Sequence, residues 1–264
     1  MRTHIHNLLP KLTKTQELIL YLLFKFRFLT TQHIQKLLHL KNPQYAQLLL
    51  KDLKEKGIIN TKYNPTSFVD KTKPAIYFLS SKAIRILKKN KNCNKDALHK
   101  IYKEHLQTDS FVAHCLKIVD VYFSFAENIK ADETLFFITE SELLQYGYFP
   151  ETLPSAYIAL KDKEKTKRYF LEVFRDFATS GNLRFRLREY LAYADSGKWE
   201  ENGNGQKFPS LLFVSPTENK KKHILFYAKA LFDKEYEVKF SLFVTTIARI
   251  LQTKNTHVWE KVED

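Results

Sequence analysis

The sequence predicts a mixed chain, α+β or α/β, built from two domains of different character. Three observations point to it: apolar residues recur at helical spacing up to about residue 57, strand-like runs follow a long helix in the second half, and positive charge is concentrated at the front. The chain has 264 residues, of which 44% are hydrophobic. This is enough for the core of one large domain or two modest ones.

Three short helices are predicted before Gly57. The first contains the apolar run 18–23, with Thr13 or Thr15 as its cap, and the second follows the cap Thr30. The third opens at Asn42, an N-cap residue followed by proline at the first helical position. One face of this third helix is apolar and consists of Ala46, Leu49, Leu50 and Leu53.

Two β-like segments follow, at residues 58–63 and 75–79, separated by a turn-rich stretch that contains Pro65 and Pro74. They can pair as a hairpin. Three helices and a hairpin in this order predict a winged helix-turn-helix, in which the third helix presents its polar side to the major groove of DNA.

The polar side of the third helix and the wing supply the candidate contacts with double-stranded DNA. Glutamine hydrogen-bonds adenine edges, and lysine contacts guanine or phosphate. The candidates are Gln44, Tyr45, Gln47, Lys51 and Lys54 on the helix, and Lys62, Asn64, Lys71 and Lys73 on the wing. The alternatives are a winged-helix module that binds protein, and RNA binding. Tyr45 and Tyr63 are the aromatic candidates for stacking on single-stranded DNA.

The charge distribution favours a polyanionic partner for the front of the chain. Residues 1–104 contain 21 Lys and Arg against 6 Asp and Glu, whereas residues 105–264 contain 22 and 23. The whole positive excess therefore lies in the first part. We predict a winged helix-turn-helix DNA-binding domain at 1–90, a linker at 91–104 and a second domain at 105–264.

The second domain is predicted to alternate helices and strands. Its elements are a helix at 106–127, strands at 135–138, 156–160 and 168–174, a helix at 182–194, a strand at 211–214, a helix near 220–231 and a strand at 240–245. The order α-β-β-β-α-β is that of the restriction-endonuclease-like core. Nucleases of this fold carry an aspartate on the second strand and an acidic-x-lysine pair on the third, which together bind Mg²⁺ and activate water.

The catalytic set of such a nuclease is incomplete in this sequence. Ser155 stands at the aspartate position and Phe174 at the lysine position, which leaves Glu172 as the one carboxylate in place. Nearby acids that can substitute are Asp120, Glu151 and Asp176. Alternatively, Arg175 or Arg186 pairs with Glu172 and neutralises it without an ion. Glu172, with Asp120 and Asp176, is the candidate catalytic and metal-binding set, and Mg²⁺ is expected as a cofactor only if the domain is active.

Seven stretches of the chain carry a family resemblance. They are residues 26–34 (FRFLTTQHI), 45–53 (YAQLLLKDL), 76–79 (IYFL), 114–120 (HCLKIVD), 170–173 (FLEV), 186–191 (RLREYL) and 208–214 (FPSLLFV). Their order and spacing resemble the replication-relaxation family of plasmid and conjugative-element proteins. The resemblance implies a winged helix joined to a nuclease-like domain and a DNA-bound role in replication initiation, relaxation or mobilisation.

The sequence departs from that family at the acid-bearing positions. The proline-aspartate of the family is replaced by Pro154 and Ser155, and its lysine on the following helix is replaced by Arg186, which cannot act as a readily deprotonated amine. We therefore expect a protein that binds double-stranded DNA and whose nuclease-like domain is inactive. The alternative is a metal-dependent endonuclease or relaxase that nicks DNA through Glu172.

The remaining expectations concern location and partners. No apolar run is long enough to span a membrane, and the N-terminus lacks the apolar core of a signal peptide. Cys93 and Cys115 form neither a disulfide framework nor a metal-ligand spacing, so a reducing cytoplasm is expected. Replication or relaxosome proteins and a second copy of the chain are the expected protein partners.

Overall fold

The computed structural model describes residues 10–62, 74–203, 205–234, 240–252 and 258–262. The chain divides into two compact units, Met1–Gln107 and Thr108–Asp264. The fold is mixed α+β, with a three-stranded sheet in the first unit and a six-stranded mixed sheet in the second. None of the helices in the described ranges has the length and apolar character needed to cross a membrane.

The first unit begins with three helices and continues into a small antiparallel sheet. Its elements are α1 (Lys14–Phe26), β1 (Leu29–Thr30), α2 (Thr31–Leu37), α3 (Pro43–Glu55), β2 (Ile59–Lys62), β3 (Ile76–Leu79), α4 (Ser81–Leu87), α5 (Lys95–Lys100) and a 3₁₀ helix (Ile101–Leu106). The strands lie in the order β1-β3-β2. The three predicted helices and the predicted pairing of two strands are confirmed.

Side-chain caps fix where the first three helices begin. Thr13, rather than Thr15, caps α1 by accepting a hydrogen bond from the backbone N–H of Gln16, and Thr30 caps α2. The Asn42 side chain caps α3 by accepting from the N–H of Gln44, with proline at the first position as predicted. The predicted apolar face of α3 is buried: Ala46, Leu49, Leu50 and Leu53.

The hairpin pairs Ile59 with Leu79 and Lys62 with Ile76. A third strand, β1, adds to its other edge, and its two residues are too few to give a strand pattern in the sequence. Residues 63–73, which include the predicted wing contacts Asn64, Lys71 and Lys73, lie outside the described residues.

The segment 91–104, predicted as a linker, instead folds as part of the first unit. It contains α5 and most of the 3₁₀ helix, with Asn94 capping α5. Ala97, Leu98 and Ile101 are buried, which explains why this stretch is ordered despite its many lysine and asparagine neighbours. The boundary between the units falls after Gln107.

The second unit contains a long helix followed by the sheet and its covering helices. Its elements are α6 (Asp109–Glu127), β4 (Thr134–Thr139), α7 (Glu140–Leu143), β5 (Ala156–Lys161), β6 (Thr166–Val173), α8 (Ser180–Asp195), α9 (Lys198–Asn202), β7 (Ser210–Ser215), α10 (Glu218–Phe232), β8 (Leu242–Thr246), α11 (Ile247–Gln252) and β9 (Glu260–Lys261). The predicted α-β-β-β-α-β order is present, with the short elements α7, α9, α11 and β9 added.

The sheet has the strand order β4-β5-β6-β7-β8-β9. Strands β4, β5 and β6 are antiparallel, β6, β7 and β8 are parallel, and β9 returns antiparallel to β8. Phe170 of β6 stacks on Tyr190 of α8, with ring centroids 5.6 Å apart, and the indole of Trp199 meets Phe170 edge-on. This aromatic core fixes α8 over β6, where Glu172 lies.

Candidate functional site

The exposed side of α3 carries the five predicted helix contacts. The side chains of Gln44, Tyr45, Gln47, Lys51 and Lys54 all lie in solvent. They are opposite the buried apolar face because residues three and four apart share one side of a helix. Tyr45 has 46% of its surface exposed and its neighbour Leu48 has 64%. The structure thus places these polar groups on one accessible surface, which we call the α3 face.

Helix α3 contains two lysines and two carboxylates, so the pairing of these side chains decides which lysine stays available. Lys51 Nζ lies 3.9 Å from Glu55 Oε1 in an exposed pair, which is worth little in water. Asp52 is engaged by Lys56 and by the Gln16 amide, each at 2.5 Å. Lys54 has no carboxylate partner in the part of the chain that the structure describes.

The β2–β3 hairpin, predicted as the wing, is less available than α3 where the structure describes it. Lys62 at the end of β2 donates from Nζ to the Gln107 carbonyl, with a 2.9 Å separation, so this ammonium is used within the unit. Tyr63, Lys71 and Lys73 fall outside the described residues.

In the second unit, Glu172 lies inside β6 and is 8% exposed. Side chains alternate along a strand, so Glu172 shares its face with Phe170, the face covered by α8. The Glu172 Oε1 atom accepts hydrogen bonds from three donors: Arg186 Nε at 2.8 Å, Arg186 Nη2 at 2.5 Å and the Tyr190 hydroxyl at 2.5 Å. Arg186 is one of the two arginines that the sequence analysis proposes as a partner of Glu172.

Arg186 also donates hydrogen bonds to two other acceptors near Glu172. Its Nη1 donates to Glu189 Oε2 at 3.1 Å, and its Nη2 donates to the Thr152 carbonyl at 2.8 Å. The guanidinium also lies over the Tyr190 ring, 4.4 Å from the centroid. We call Glu172, Arg186 and Tyr190 the Glu172 cluster. It ties α8 to β6 through charge and hydrogen bonds in addition to the apolar core.

The electrostatics of the Glu172 cluster follow from its burial. Burial raises the pKa of Glu172 above its ordinary value, and the Arg186 guanidinium opposes that shift. Burial lowers the pKa of Arg186, but the Glu172 carboxylate outweighs this and leaves the pKa raised, so Arg186 stays protonated. The pKa of Tyr190 is raised well above its ordinary value by burial and then by the Glu172 charge, which keeps its hydroxyl a donor.

The two positions that a nuclease fills with aspartate and lysine have other roles here. The Ser155 hydroxyl accepts a hydrogen bond from the backbone N–H of Val173 at 3.1 Å, which places it beside β6. Phe174 packs edge-on against Phe213, with centroids 5.1 Å apart, and is nearly buried. Both side chains therefore serve the packing of the sheet.

The substitute acids do not gather around a common point with Glu172. Asp176 is exposed and pairs with Lys117 Nζ at 2.5 Å, and Glu151 is exposed. Asp120 lies half-buried on α6. Arg175, the other predicted partner of Glu172, lies over the Phe111 ring. In the described ranges, no three His, Cys, Asp or Glu side chains are grouped so that they can hold a metal ion.

Three residues around the site were not predicted from the sequence as partners of Glu172 or Arg186. The Tyr190 hydroxyl donates to a carboxylate 18 residues earlier in the chain, and no sequence pattern indicates that hydrogen bond. Glu189 and Thr152 were likewise missed as partners of Arg186, and a hydrogen bond of 2.8 Å also joins these two side chains. The i, i+3 and i, i+4 spacing of Arg186, Glu189 and Tyr190 is the one signal that was available.

Comparisons with known proteins give a family match and a weak structural likeness. A family model described as replication-relaxation matches residues 20–208, more than half of the chain. No curated protein matches the chain. Among solved structures, the chain is similar to the restriction endonuclease FokI, with 12% identity, a TM-score of 0.33 and coverage of 91% of this chain and 43% of that one. The chain thus spans less than half the length of FokI.

Proposed function

The chain belongs to the replication-relaxation family, and from that premise we propose that it binds double-stranded DNA of a plasmid or other mobile element. The binding serves replication initiation, relaxation or mobilisation of that DNA. The first unit makes the contact, and the second unit acts as a scaffold without nuclease activity.

The α3 face is the observation that carries this proposal. Its side chains offer the donors and acceptors that read base edges, glutamine for adenine and lysine for guanine or phosphate. We assign the first unit to the winged helix-turn-helix class, with α3 in the major groove and the β2–β3 hairpin as the wing. An interaction module for protein would leave the excess of cations on this unit without a role.

Charge supports the same assignment. The first unit, residues 1–107, contains 21 Lys and Arg against 6 Asp and Glu. Phosphate contacts by Lys and Arg supply most of the non-specific affinity of proteins for DNA, and the excess of these residues in the first unit can make such contacts. The second unit, with 22 basic and 23 acidic residues, has no such excess.

We assign the second unit to the restriction-endonuclease-like class from its α-β-β-β-α-β order, and we infer that it does not cut DNA. The residues at the nuclease position do not fit Mg²⁺, which prefers several carboxylate and water oxygens in an octahedral arrangement. Glu172 Oε1 is occupied by Arg186 and Tyr190. Ser155 accepts a backbone N–H, and Phe174 belongs to the core.

The salt dependence of duplex binding tests the proposal. Fluorescence anisotropy with a labelled duplex should show affinity that falls about tenfold or more between roughly 50 and 200 mM salt, because bound cations release counterions from the DNA. No duplex binding at low salt, or an affinity that does not change with salt, contradicts the proposal.

The absence of nuclease activity is tested on supercoiled plasmid. With Mg²⁺ or Mn²⁺ present, the full chain should leave the plasmid closed. Nicking that persists in Asp195→Asn, which changes an exposed acid at the end of α8, but disappears in Glu172→Gln, with both variants shown to be folded by circular dichroism, would instead establish a metal-dependent nuclease that uses Glu172.

A further inference from the structure

A cavity of about 310 Å³ opens between α8 and α10 in the second unit. Its walls are the apolar side chains Leu183 and Leu187 of α8 and Ile224 and Phe226 of α10. This volume is at the lower end of the range for pockets that hold small ligands. It offers room for one ring system.

The ionisable groups that line this cavity are basic. Arg184 and His223 line it, and no carboxylate does. The Arg184 and Arg188 guanidinium carbons lie 5.5 and 5.8 Å from the centroid of the Tyr227 ring, which forms another part of the wall. Among the described residues neither arginine pairs with a carboxylate, so both keep their charge available to an anion.

Two features of α10 point to an aromatic ligand with hydrogen-bonding edges. Phe226 at the rim is 77% exposed, which leaves one face of a large apolar ring uncovered. The Tyr227 hydroxyl is buried and has no hydrogen-bond partner among the described residues. A buried hydroxyl without a partner is costly, and a ligand that pairs with it recovers that cost.

We propose that this cavity binds an unpaired nucleotide of single-stranded DNA. The base stacks on Phe226 and pairs with the Tyr227 hydroxyl, and the adjoining phosphates lie against Arg184 and Arg188. Proteins that bind single strands combine an aromatic platform with a basic groove in this way.

The observations favour a nucleotide over a protein segment. The ligand must join an aromatic ring to negative charge, and every nucleotide does both. The inference rests on the proposed function, since replication initiation and relaxation both expose unpaired strands. It adds a second DNA contact, located in the unit that does not carry the α3 face.

The test uses the full chain and a fluorescein-labelled single-stranded oligothymidylate. Phe226→Ala should raise the Kd for this probe at least about fivefold, since one stacked base is worth that much or more. Arg184→Ala should raise it as well and reduce its salt dependence. The matched controls are Phe185→Ala, which removes a 65% exposed phenylalanine of α8 outside the cavity, and Lys229→Ala on α10. Both controls should leave the Kd within about twofold.

A 2-aminopurine base in the oligonucleotide gives a second readout. Its emission should change on binding to the wild-type chain and to Phe185→Ala, and should not change with Phe226→Ala, because stacking alters the emission of this base.

Several outcomes overturn the inference. If the chain binds duplex DNA but not single-stranded DNA, the nucleotide site is excluded and the proposed function stands. If it binds neither, the nucleotide site and the proposed function are both excluded. Equal effects of Phe226→Ala and Phe185→Ala also exclude the site. If Phe226→Ala dissociates a dimer in sedimentation, a second copy is the occupant. If a glutamate-rich amphipathic peptide binds more tightly than the oligonucleotide and loses affinity in this variant, the occupant is a protein.

Discussion

The exposed side of α3 and the buried side of α8 use their polar side chains in opposite ways. On α3, Gln47, Lys51 and Lys54 extend into solvent from a helix whose other face is buried. On α8, the side chains of Arg186 and Tyr190 are buried and donate hydrogen bonds to Glu172. Polar groups that face water keep their capacity for a ligand, whereas groups that satisfy one another in the interior stabilise the fold.

The largest expected effect comes from breaking the Glu172 cluster. Glu172→Gln removes the buried counter-charge of the Arg186 guanidinium and leaves it only the 3.1 Å pair with Glu189, so the free energy of unfolding should fall by about 3 kcal/mol, the lower end of the range for a broken buried pair. Urea denaturation followed by circular dichroism measures it. Asp176→Asn is the matched control, because its partner Lys117 pairs with it at the surface, and it should cost under about 1 kcal/mol. Equal costs for the two variants would mean that Glu172 is not paired in solution.

A second buried pair predicts a pH dependence in the first unit. Arg27 Nε donates to Glu104 Oε1 at 2.8 Å, while Glu104 Oε2 is buried without a partner among the described residues. Burial raises the pKa of Glu104 to about 7 from 4.5, although Arg27 opposes the shift. Between these pH values the folded protein holds a proton that the unfolded chain releases. The stability from this proton is complete below about pH 4.5 and is lost as pH rises through 7.

The pH effect is measured by urea denaturation at pH 5 and pH 7.5. The wild type should be less stable at the higher pH, by up to about 3 kcal/mol from this group, and Glu104→Gln should remove that difference. Glu17→Gln, which changes an exposed acid on α1, should retain it. A pH dependence that is identical in wild type and Glu104→Gln would show that Glu104 titrates alike in the folded and unfolded chain.

Sequence reasoning succeeded where the signal is local. The start of α3 follows from Asn42 and Pro43, and its buried face follows from the spacing of Ala46 to Leu53. Sequence reasoning failed where the structure of a short segment depends on residues far away in the chain. Strand β1 exists because β3 pairs with it, and Glu104 is ordered by Arg27, 77 residues earlier. The lysine-rich run before α5 predicted a linker. Helix α5 has only six residues, too few for its buried Leu98 to form a recognisable helical pattern among the neighbouring charged residues.

The sequence predicted only part of the candidate site, because the remaining contacts depend on tertiary packing. Glu172 was located from the order of strands, and Arg186 was one of two proposed partners. The contributions of Tyr190, Glu189 and Thr152 need the packing of α8 against β6, which the sequence alone does not specify.

A smaller effect is expected from the base-reading side chain of the α3 face. Gln47→Ala should reduce sequence preference by about 5- to 100-fold at one base pair, because a bidentate glutamine–adenine contact is lost. Selection from a randomised duplex pool with wild type and variant measures this. Gln32→Ala, exposed on α2, is the control and should select the wild-type site. If both variants select the wild-type site with equal preference, Gln47 does not read a base.

The most direct test of the difference between the two units is the salt dependence of duplex binding in two matched double variants. Lys51→Ala with Lys54→Ala should reduce the slope of log affinity against log salt by about 2, one unit for each lost phosphate contact. Lys222→Ala with Lys229→Ala removes two exposed lysines from α10 and should leave the slope unchanged. A reduced slope in the α10 pair and an unchanged slope in the α3 pair would contradict the account, because duplex DNA would then bind the second unit.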